Sequence, residues 1–206
     1  MESTRRLTPR RDPQQQRSKD RIQLILEVTA RLMDEVGFDD LTTILIAKEA
    51  GMSVGTLYHY FPNKHSILRA IARNWLDHWD QVILEINALP IETMEMEEVV
   101  NILIDTFARV YQKQKGILHL VRAMFAIPEL KDLDERHDEF IIANMANILP
   151  QIGINKSLTD RKYIARTYLE MTHALLLVAC QQRGTRARQT LEDTRELVYC
   201  LFLRHL

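Results

Sequence analysis

Thr56, Tyr58, His59 and Tyr60 lie within one short segment of the chain, and each can make hydrogen bonds. Hydroxyl and imidazole groups bond to phosphates or to base edges, and a tyrosine ring can pack on a sugar or a thymine methyl group. A helix face that meets only solvent more often carries lysine and glutamate. These residue types therefore predict a surface that contacts nucleic acid.

Two short helices joined by a tight turn are needed to position this segment. Ile46 and Ala47 provide a small apolar inner face for the first helix, and Gly51 allows a turn without a Cβ clash. Leu57 and Phe61 are expected to fasten the second helix to the core. The pattern predicts a helix-turn-helix, in which the second helix presents its polar face outward.

Capping residues mark the ends of these helices. Thr42 or Thr43 can begin the first short helix, and Ser53 can begin the second. Pro62 ends the second helix, and Asn63 is placed to cap a long helix that follows. Before them, apolar residues recur at helical spacing from Ile22 onward and stop at a glycine.

The segment from Thr42 to Leu68 resembles the N-terminal motif of the TetR/AcrR family of transcriptional regulators. The matching residues keep the order and spacing of the family pattern without a gap: Thr43, Ile46-Ala47, Ala50-Gly51, Ser53, Gly55-Thr56-Leu57-Tyr58, Tyr60-Phe61 and Lys64. The resemblance to this defined motif covers about residues 20–70. Beyond it, only the helical layout and the length of the chain agree with the family.

The resemblance implies a set of DNA-binding residues. Phosphate contacts are expected from Thr43 and Lys64, and sugar-phosphate contacts from Tyr58 and Tyr60. Arg17 and Lys19 lie just before the predicted first helix, where they could reach the DNA backbone. The expected groove-facing residues are Ser53, Gly55, Thr56 and His59. Ile44 departs from the family, which often has arginine or another polar residue there, so direct base readout is expected to depend mainly on Thr56 and His59.

The whole chain is predicted to be all-α, with about nine helices. We predict a disordered basic arm over residues 1–15, a three-helix DNA-binding domain over residues 16–63, and a larger ligand-sensing and dimerisation domain over residues 64–206. The last two helices are apolar on more than one face, which favours a four-helix bundle between two subunits. The residues chosen for this dimer interface are Leu175, Val178, Leu197 and Leu201. A homodimer implies a palindromic operator in double-stranded DNA.

A small-molecule pocket is predicted in the larger domain, because aromatic residues and a few polar residues recur on its helix faces. The candidate lining residues are Trp75, Trp79, Phe107, Tyr111, Arg122, Phe125, His137, Phe140, Asn144, Glu170 and His173. The alternative is that both tryptophans belong to an ordinary core and that His137 lies at the surface among acidic neighbours. The identity and charge of the effector stay open.

Composition and motifs narrow the class of protein. The chain has a net charge of -1, and its two cysteines, Cys180 and Cys200, lie in apolar stretches that favour reduced thiols. There is no membrane span or signal peptide in the sequence, which favours a cytoplasmic protein. It contains no HExxH motif and no phosphate-binding glycine loop, so neither an enzyme nor a cofactor or metal is expected. A helical protein-interaction module and a transcriptional activator are the alternatives to a repressor.

Overall fold

The described part of the chain consists of helices joined by short loops. A computed structural model describes residues 13–206, in which there are nine α-helices, two short 3-10 helices and no strand. The α-helices are α1 (Pro13–Val36), α2 (Thr43–Glu49), α3 (Val54–Tyr60), α4 (Lys64–Asn87), α5 (Met96–Lys113), α6 (Ile117–Ala126), α7 (Pro128–Ile148), α8 (Leu158–Gln181) and α9 (Thr185–Leu203). The predicted all-α fold is confirmed.

The predicted caps of the helix-turn-helix are present. The Thr42 side chain accepts a hydrogen bond from the Leu45 amide at 3.1 Å, and the Ser53 side chain accepts one from the Thr56 amide at 3.0 Å. Between these helices Gly51 has a φ of 64°, a left-handed conformation that favours glycine. These local interactions stop α2 and restart the chain as α3 only a few residues later.

The first helix begins earlier than the sequence pattern indicated. α1 starts at Pro13, so residues 13–15 of the predicted disordered arm are helical, and residues 1–12 lie outside the described residues. Proline has a fixed φ that suits the first turn of a helix, and glutamine is a good helix former. The apolar periodicity starts only at Ile22, which explains why the polar first turns were not predicted to be helical.

The division of the chain also falls later than predicted. The contacts between residues define a first unit that ends at Ile71 and a second unit that comprises Ala72–Leu206, whereas the sequence analysis placed the boundary after residue 63. Ile67 and Leu68 are fully buried, and Ile71 is nearly so. The first two turns of α4 therefore belong with α1, α2 and α3.

In the second unit, α8 packs on both α7 and α9. Ser157 caps α8, with the Asp160 amide donating to the Ser157 hydroxyl at 3.1 Å. α9 begins at Thr185, well before its apolar residues. Its first turns are polar, so they lack the apolar periodicity that marked the rest of the helix.

Candidate functional site

The α2–α3 face of the first unit carries the residues predicted to contact DNA. Gly55, Tyr58 and His59 are exposed, and Thr56 and Tyr60 are half-buried. Leu57, on the opposite side of α3, is fully buried, and Phe61 just after the helix is only 8% exposed. The alternation of buried and exposed positions gives α3 a polar outer face, as predicted.

Hydrogen bonds orient several of these side chains before any partner is present. The hydroxyls of Ser53 and Thr56 lie 2.9 Å apart, and those of Thr43 and Tyr58 lie 3.1 Å apart. The second pair links the start of α2 to the middle of α3. Preformed positions reduce the side-chain entropy that is lost on binding.

Gly55 is a glycine for which the surrounding structure gives no internal reason. Its φ is not in the left-handed region, and an added Cβ would meet only the Ser53 hydroxyl, at 3.8 Å. Glycine lowers helix stability, so its presence on an exposed helix face needs an external cause. Close approach of the α3 backbone to another molecule is such a cause.

Lys64 is partly engaged within the protein. Its ammonium donates to the carbonyl oxygens of Phe38 and Leu41, each at 3.2 Å, and lies 4.3 Å from the centre of the Phe38 ring. An ammonium group has three N–H donors, so one remains for a phosphate. The residue therefore has a structural function that its sequence position did not indicate.

Two residues of α1 and one of α2 are also exposed on the first unit. Arg17 and Lys19 are exposed on α1 and lie within the helix, not just before it as predicted. Ile44 is 67% exposed on α2. An isoleucine so exposed can offer only apolar contact, for example to a thymine methyl group.

A cavity lies in the second unit among α4, α5, α7 and α8. Its volume is about 30 Å³ as a closed space, and about 440 Å³ when all the empty space up to its open mouth is counted. The residues that line it are Trp75, Leu76, Trp79, Phe107, Tyr111, Asp134, His137, Asp138, Ile141, Leu169, Thr172, His173 and Leu176. The structure thus brings together the predicted residues Trp75, Trp79, Phe107, Tyr111, His137 and His173.

The aromatic side chains of this cavity pack edge to face. The ring centres of Trp79 and Phe107 lie 4.6 Å apart, and those of Trp75 and Tyr111 lie 5.6 Å apart. The Tyr111 hydroxyl is 2.6 Å from Nδ1 of His173, and Nδ1 of His137 is 3.3 Å from an Asp80 carboxylate oxygen. Burial lowers the pKa of both histidines, more than their acidic neighbours raise it, which favours neutral rings.

Five predicted pocket residues do not line the cavity. The side-chain oxygen of Asn144 accepts a hydrogen bond from the Asn87 amide group at 2.6 Å. Glu170 is exposed, and its carboxylate lies 3.5 Å from the Arg166 guanidinium. Arg122 and Phe125 are also exposed, although the Phe125 ring lies 6.3 Å from that of His173, and Phe140 is half-buried outside the cavity. Periodicity located α4, α5, α7 and α8 correctly, but it could not fix the rotation of each helix about its axis, and α6, which carries Arg122 and Phe125, does not line the cavity.

Asp134 and Asp138 line the cavity and were not among the predicted pocket residues. Burial is the largest cause that raises the pKa of Asp134, and it raises the pKa of Asp138 to about 6, with Asp134 as the next contributor. In the alternative interpretation of the sequence, both belonged to the acidic neighbours of a surface His137. The available signal was their spacing with His137 and Ile141, which places all four on one face of α7.

The residues predicted for the dimer interface leave apolar surface uncovered within one chain. Val178 is 43% exposed and Leu197 is 47% exposed, and Leu175 and Leu201 are half-buried. Leu203 and Leu206, at the end of the chain, are also more than half exposed. Among residues 13–206, no helix has the length and apolar character needed to cross a membrane.

A helix-turn-helix followed by a larger helical domain is the arrangement of a class of transcriptional regulators. Comparisons of the sequence with family models place the chain in the same class. Residues 25–71 match the family model described as "Bacterial regulatory proteins, tetR family". Residues 96–201 match the model described as "Tetracyclin repressor-like, C-terminal domain". The chain belongs to the TetR family, which confirms the resemblance found in the sequence, and it is a DNA-binding transcriptional regulator.

Individual relatives are distant. The uncharacterized HTH-type transcriptional regulator YvdT of Bacillus subtilis is 27% identical over 151 residues, which are 71% of this chain and 76% of that protein. The HTH-type transcriptional regulator BetI of Vibrio atlanticus is 26% identical over 126 residues, or 59% of this chain and 62% of that protein. The match therefore spans less than two thirds of the BetI relative.

Solved structures show the same fold at low identity. A TetR transcription regulator from Haloarcula marismortui aligns with a TM-score of 0.69 at 20% identity, over 91% of this chain and 99% of its own. A transcriptional regulator from Aquifex aeolicus aligns with a TM-score of 0.68 at 16% identity, over 88% of this chain and 99% of its own.

Proposed function

We propose that this regulator is a homodimeric, cytoplasmic repressor without catalytic activity, which binds a palindromic operator through α3 and is released by a small-molecule effector. The observation that carries the DNA-binding part is the exposed polar face of α3. Gly55 and His59 are exposed on it, and the hydroxyls of Thr56 and Tyr58 are already oriented by neighbours.

The proposed dimer is supported by the uncovered apolar surface of α8 and α9. Val178 and Leu197 are almost half exposed in the single chain, and exposed apolar area of this kind is normally covered by a partner. In a two-fold dimer, the two copies of α3 would reach half-sites one DNA turn or more apart, about 34–36 Å for one turn.

Release by an effector is supported by the position of the cavity along the chain. Trp75 and Trp79 line the cavity from α4, the helix whose first residue, Lys64, bonds to the loop before α2. A ligand that favours one orientation of α4 would change operator affinity by the coupling free energy, typically about 1–3 kcal/mol. This corresponds to a change of about 5- to 150-fold in the dissociation constant.

The test is binding of the full chain to the DNA that flanks its own gene, measured over a salt series. We expect sequence-selective binding that weakens steeply with salt, because phosphate contacts release counterions. Tyr58→Ala should weaken binding by about tenfold, as loss of an oriented phosphate contact would. Tyr163→Ala, which removes an even more exposed tyrosine from α8, is the matched control and should bind as the parent does.

Four outcomes would contradict the proposal or part of it. Equal binding to unrelated DNA, or equal losses for the two tyrosine variants, would mean that the α3 face does not select the operator. Activation of the adjacent promoter by the bound protein would replace the repressor with an activator. Absence of DNA binding even at low salt would instead favour a protein-interaction module.

A further inference from the structure

The cavity in the second unit is lined by acidic and aromatic side chains. Asp134 and Asp138 line it, together with the aromatic rings of both tryptophans. Among the described residues, no lysine or arginine lines this cavity. The two histidines that line it are favoured in the neutral form by burial, so they do not offset the carboxylates.

The surroundings add further negative charge. Glu170 and Glu135 both act to raise the pKa of Asp134, and they raise that of Asp138 as well. The positive charge of Arg166 lowers the pKa of Asp138, but this side chain already lies 3.5 Å from the Glu170 carboxylate. The carboxylates are therefore held in a partly buried place where their charge is not neutralised.

Polar atoms at the same cavity lack partners. Nε1 of Trp75, Nε1 of Trp79 and Nε2 of His173 are buried and form no hydrogen bond. The two tryptophans are only 6% and 5% exposed, so water has little access to these groups. Indole N–H groups are donors only, so the two tryptophans can pair with an acceptor atom elsewhere on a bound ligand but not with its cationic group.

We propose that the effector is a small organic cation of the ammonium class, which lies over the ring faces of Trp75 and Trp79 with its charge toward Asp134 and Asp138. This inference rests on the proposed function, because it assigns the cavity to the effector. An indole face attracts a cation through its quadrupole, and desolvation strengthens the attraction. The carboxylates supply the opposite charge that a neutral ligand would not need.

The packing of the two tryptophan rings limits where this cation can lie. The centres of Trp75 and Trp79 lie 6.3 Å apart in an edge-to-face pair, which leaves no room for an ammonium group between them. The cation must therefore contact the ring surfaces that face the cavity. A compact head group such as tetramethylammonium meets this condition.

Tryptophan fluorescence provides the assay. Trp75 and Trp79 are the only tryptophans in the sequence, so a change in emission reports on the cavity itself. The probes are tetramethylammonium, tert-butanol and pivalate, which have similar branched shapes but positive, zero and negative charge. At constant ionic strength, we expect a saturable change with tetramethylammonium at a dissociation constant below about 10 mM, and none with pivalate.

Two matched variants identify the charge that is used. Asp138→Asn should weaken tetramethylammonium binding by about five- to tenfold, because one carboxylate partner of the cation is lost. Glu139→Gln removes the neighbouring acid, which is exposed and does not line the cavity, and should leave binding unchanged. Equal weakening in both variants would indicate a general surface-charge effect and would overturn the proposal.

The probe experiment is independent of the operator experiment. Preference for pivalate, equal response to tert-butanol, or no saturation with tetramethylammonium would overturn the cationic effector while operator binding could still be observed. Failure of operator binding, together with saturable tetramethylammonium binding, would instead contradict the proposed function and leave a cation-binding cavity.

Discussion

Replacing Asp138 with asparagine should make the protein more stable at neutral pH, although the same change should weaken cation binding. The carboxyl is half-buried, and burial and the nearby Asp134 raise its pKa from 3.8 to about 6. Such a shift means that ionised Asp138 is less favourable in the folded protein than in the unfolded chain. The neutral amide has nearly the same shape without that penalty.

The magnitude follows from the pKa difference. A shift from 3.8 to about 6 corresponds to a destabilisation of about 3 kcal/mol once Asp138 is ionised in both states. Because the side chain is only half-buried, solvent screening should reduce this to about 1 kcal/mol. For a chain of this size, about 1 kcal/mol raises the midpoint of thermal unfolding by about 2–4 °C.

The effect has a defined pH dependence. The folded protein binds the Asp138 proton more tightly than the unfolded chain, so the destabilisation is fully present above the folded pKa of about 6. It decreases as the pH falls through 6 and disappears below 3.8, where the carboxyl is protonated in both states. The gain from Asp138→Asn should therefore be largest near neutral pH and nearly absent at about pH 4.

Thermal unfolding followed by circular dichroism at several pH values measures this gain. Glu139→Gln serves as the control, since that exposed acid is expected to change the midpoint by little at any pH. A lower midpoint for Asp138→Asn at neutral pH would refute the reasoning, because it would mean that the ionised carboxylate stabilises the fold. A gain that does not vary with pH would refute the electrostatic cause.

Two further predictions concern the first unit and the dimer. Gly55→Ala should stabilise the first unit by about 0.5 kcal/mol, because alanine favours helix more than glycine does. The same change should weaken operator binding at least several-fold, because the added methyl group holds α3 away from the duplex. Unchanged affinity in a gel-shift titration would show that α3 does not approach the DNA closely at this position. Val178→Glu should convert the proposed dimer to monomer in sedimentation experiments, because it places a charge on an apolar interface. Leu84→Glu, at a similarly exposed position on α4, should leave the dimer intact. Dissociation by both variants would exclude the α8–α9 interface.

Local interactions made the helix-turn-helix predictable. Ser53 caps α3 and Gly51 turns the chain through contacts only a few residues apart in sequence, so residue types alone indicated them. The same is not true of the extra structural function of Lys64. Its ammonium bonds to carbonyl groups more than twenty residues away, an interaction that depends on how α1 and α4 meet.

The aromatic residues of the cavity were predictable from the sequence, but its two aspartates were not. Trp75 and Trp79 recur at a spacing that places both on one face, and bulky rings on such a face are normally buried. Asp138 carries a charge that usually faces solvent, and its position at the cavity depends on the rotation of α7 against α4 and α8. No local pattern specifies that rotation.

The bonds of Lys64 have a mechanical consequence for the recognition helix. One amine ties the first residue of α4 to the carbonyls of Phe38 and Leu41, immediately before the cap of α2. The start of α4 and the loop before α2 therefore share one hydrogen-bonded anchor. We expect a displacement of the first turn of α4 to be passed to α2, and through α2 to α3, by way of this side chain.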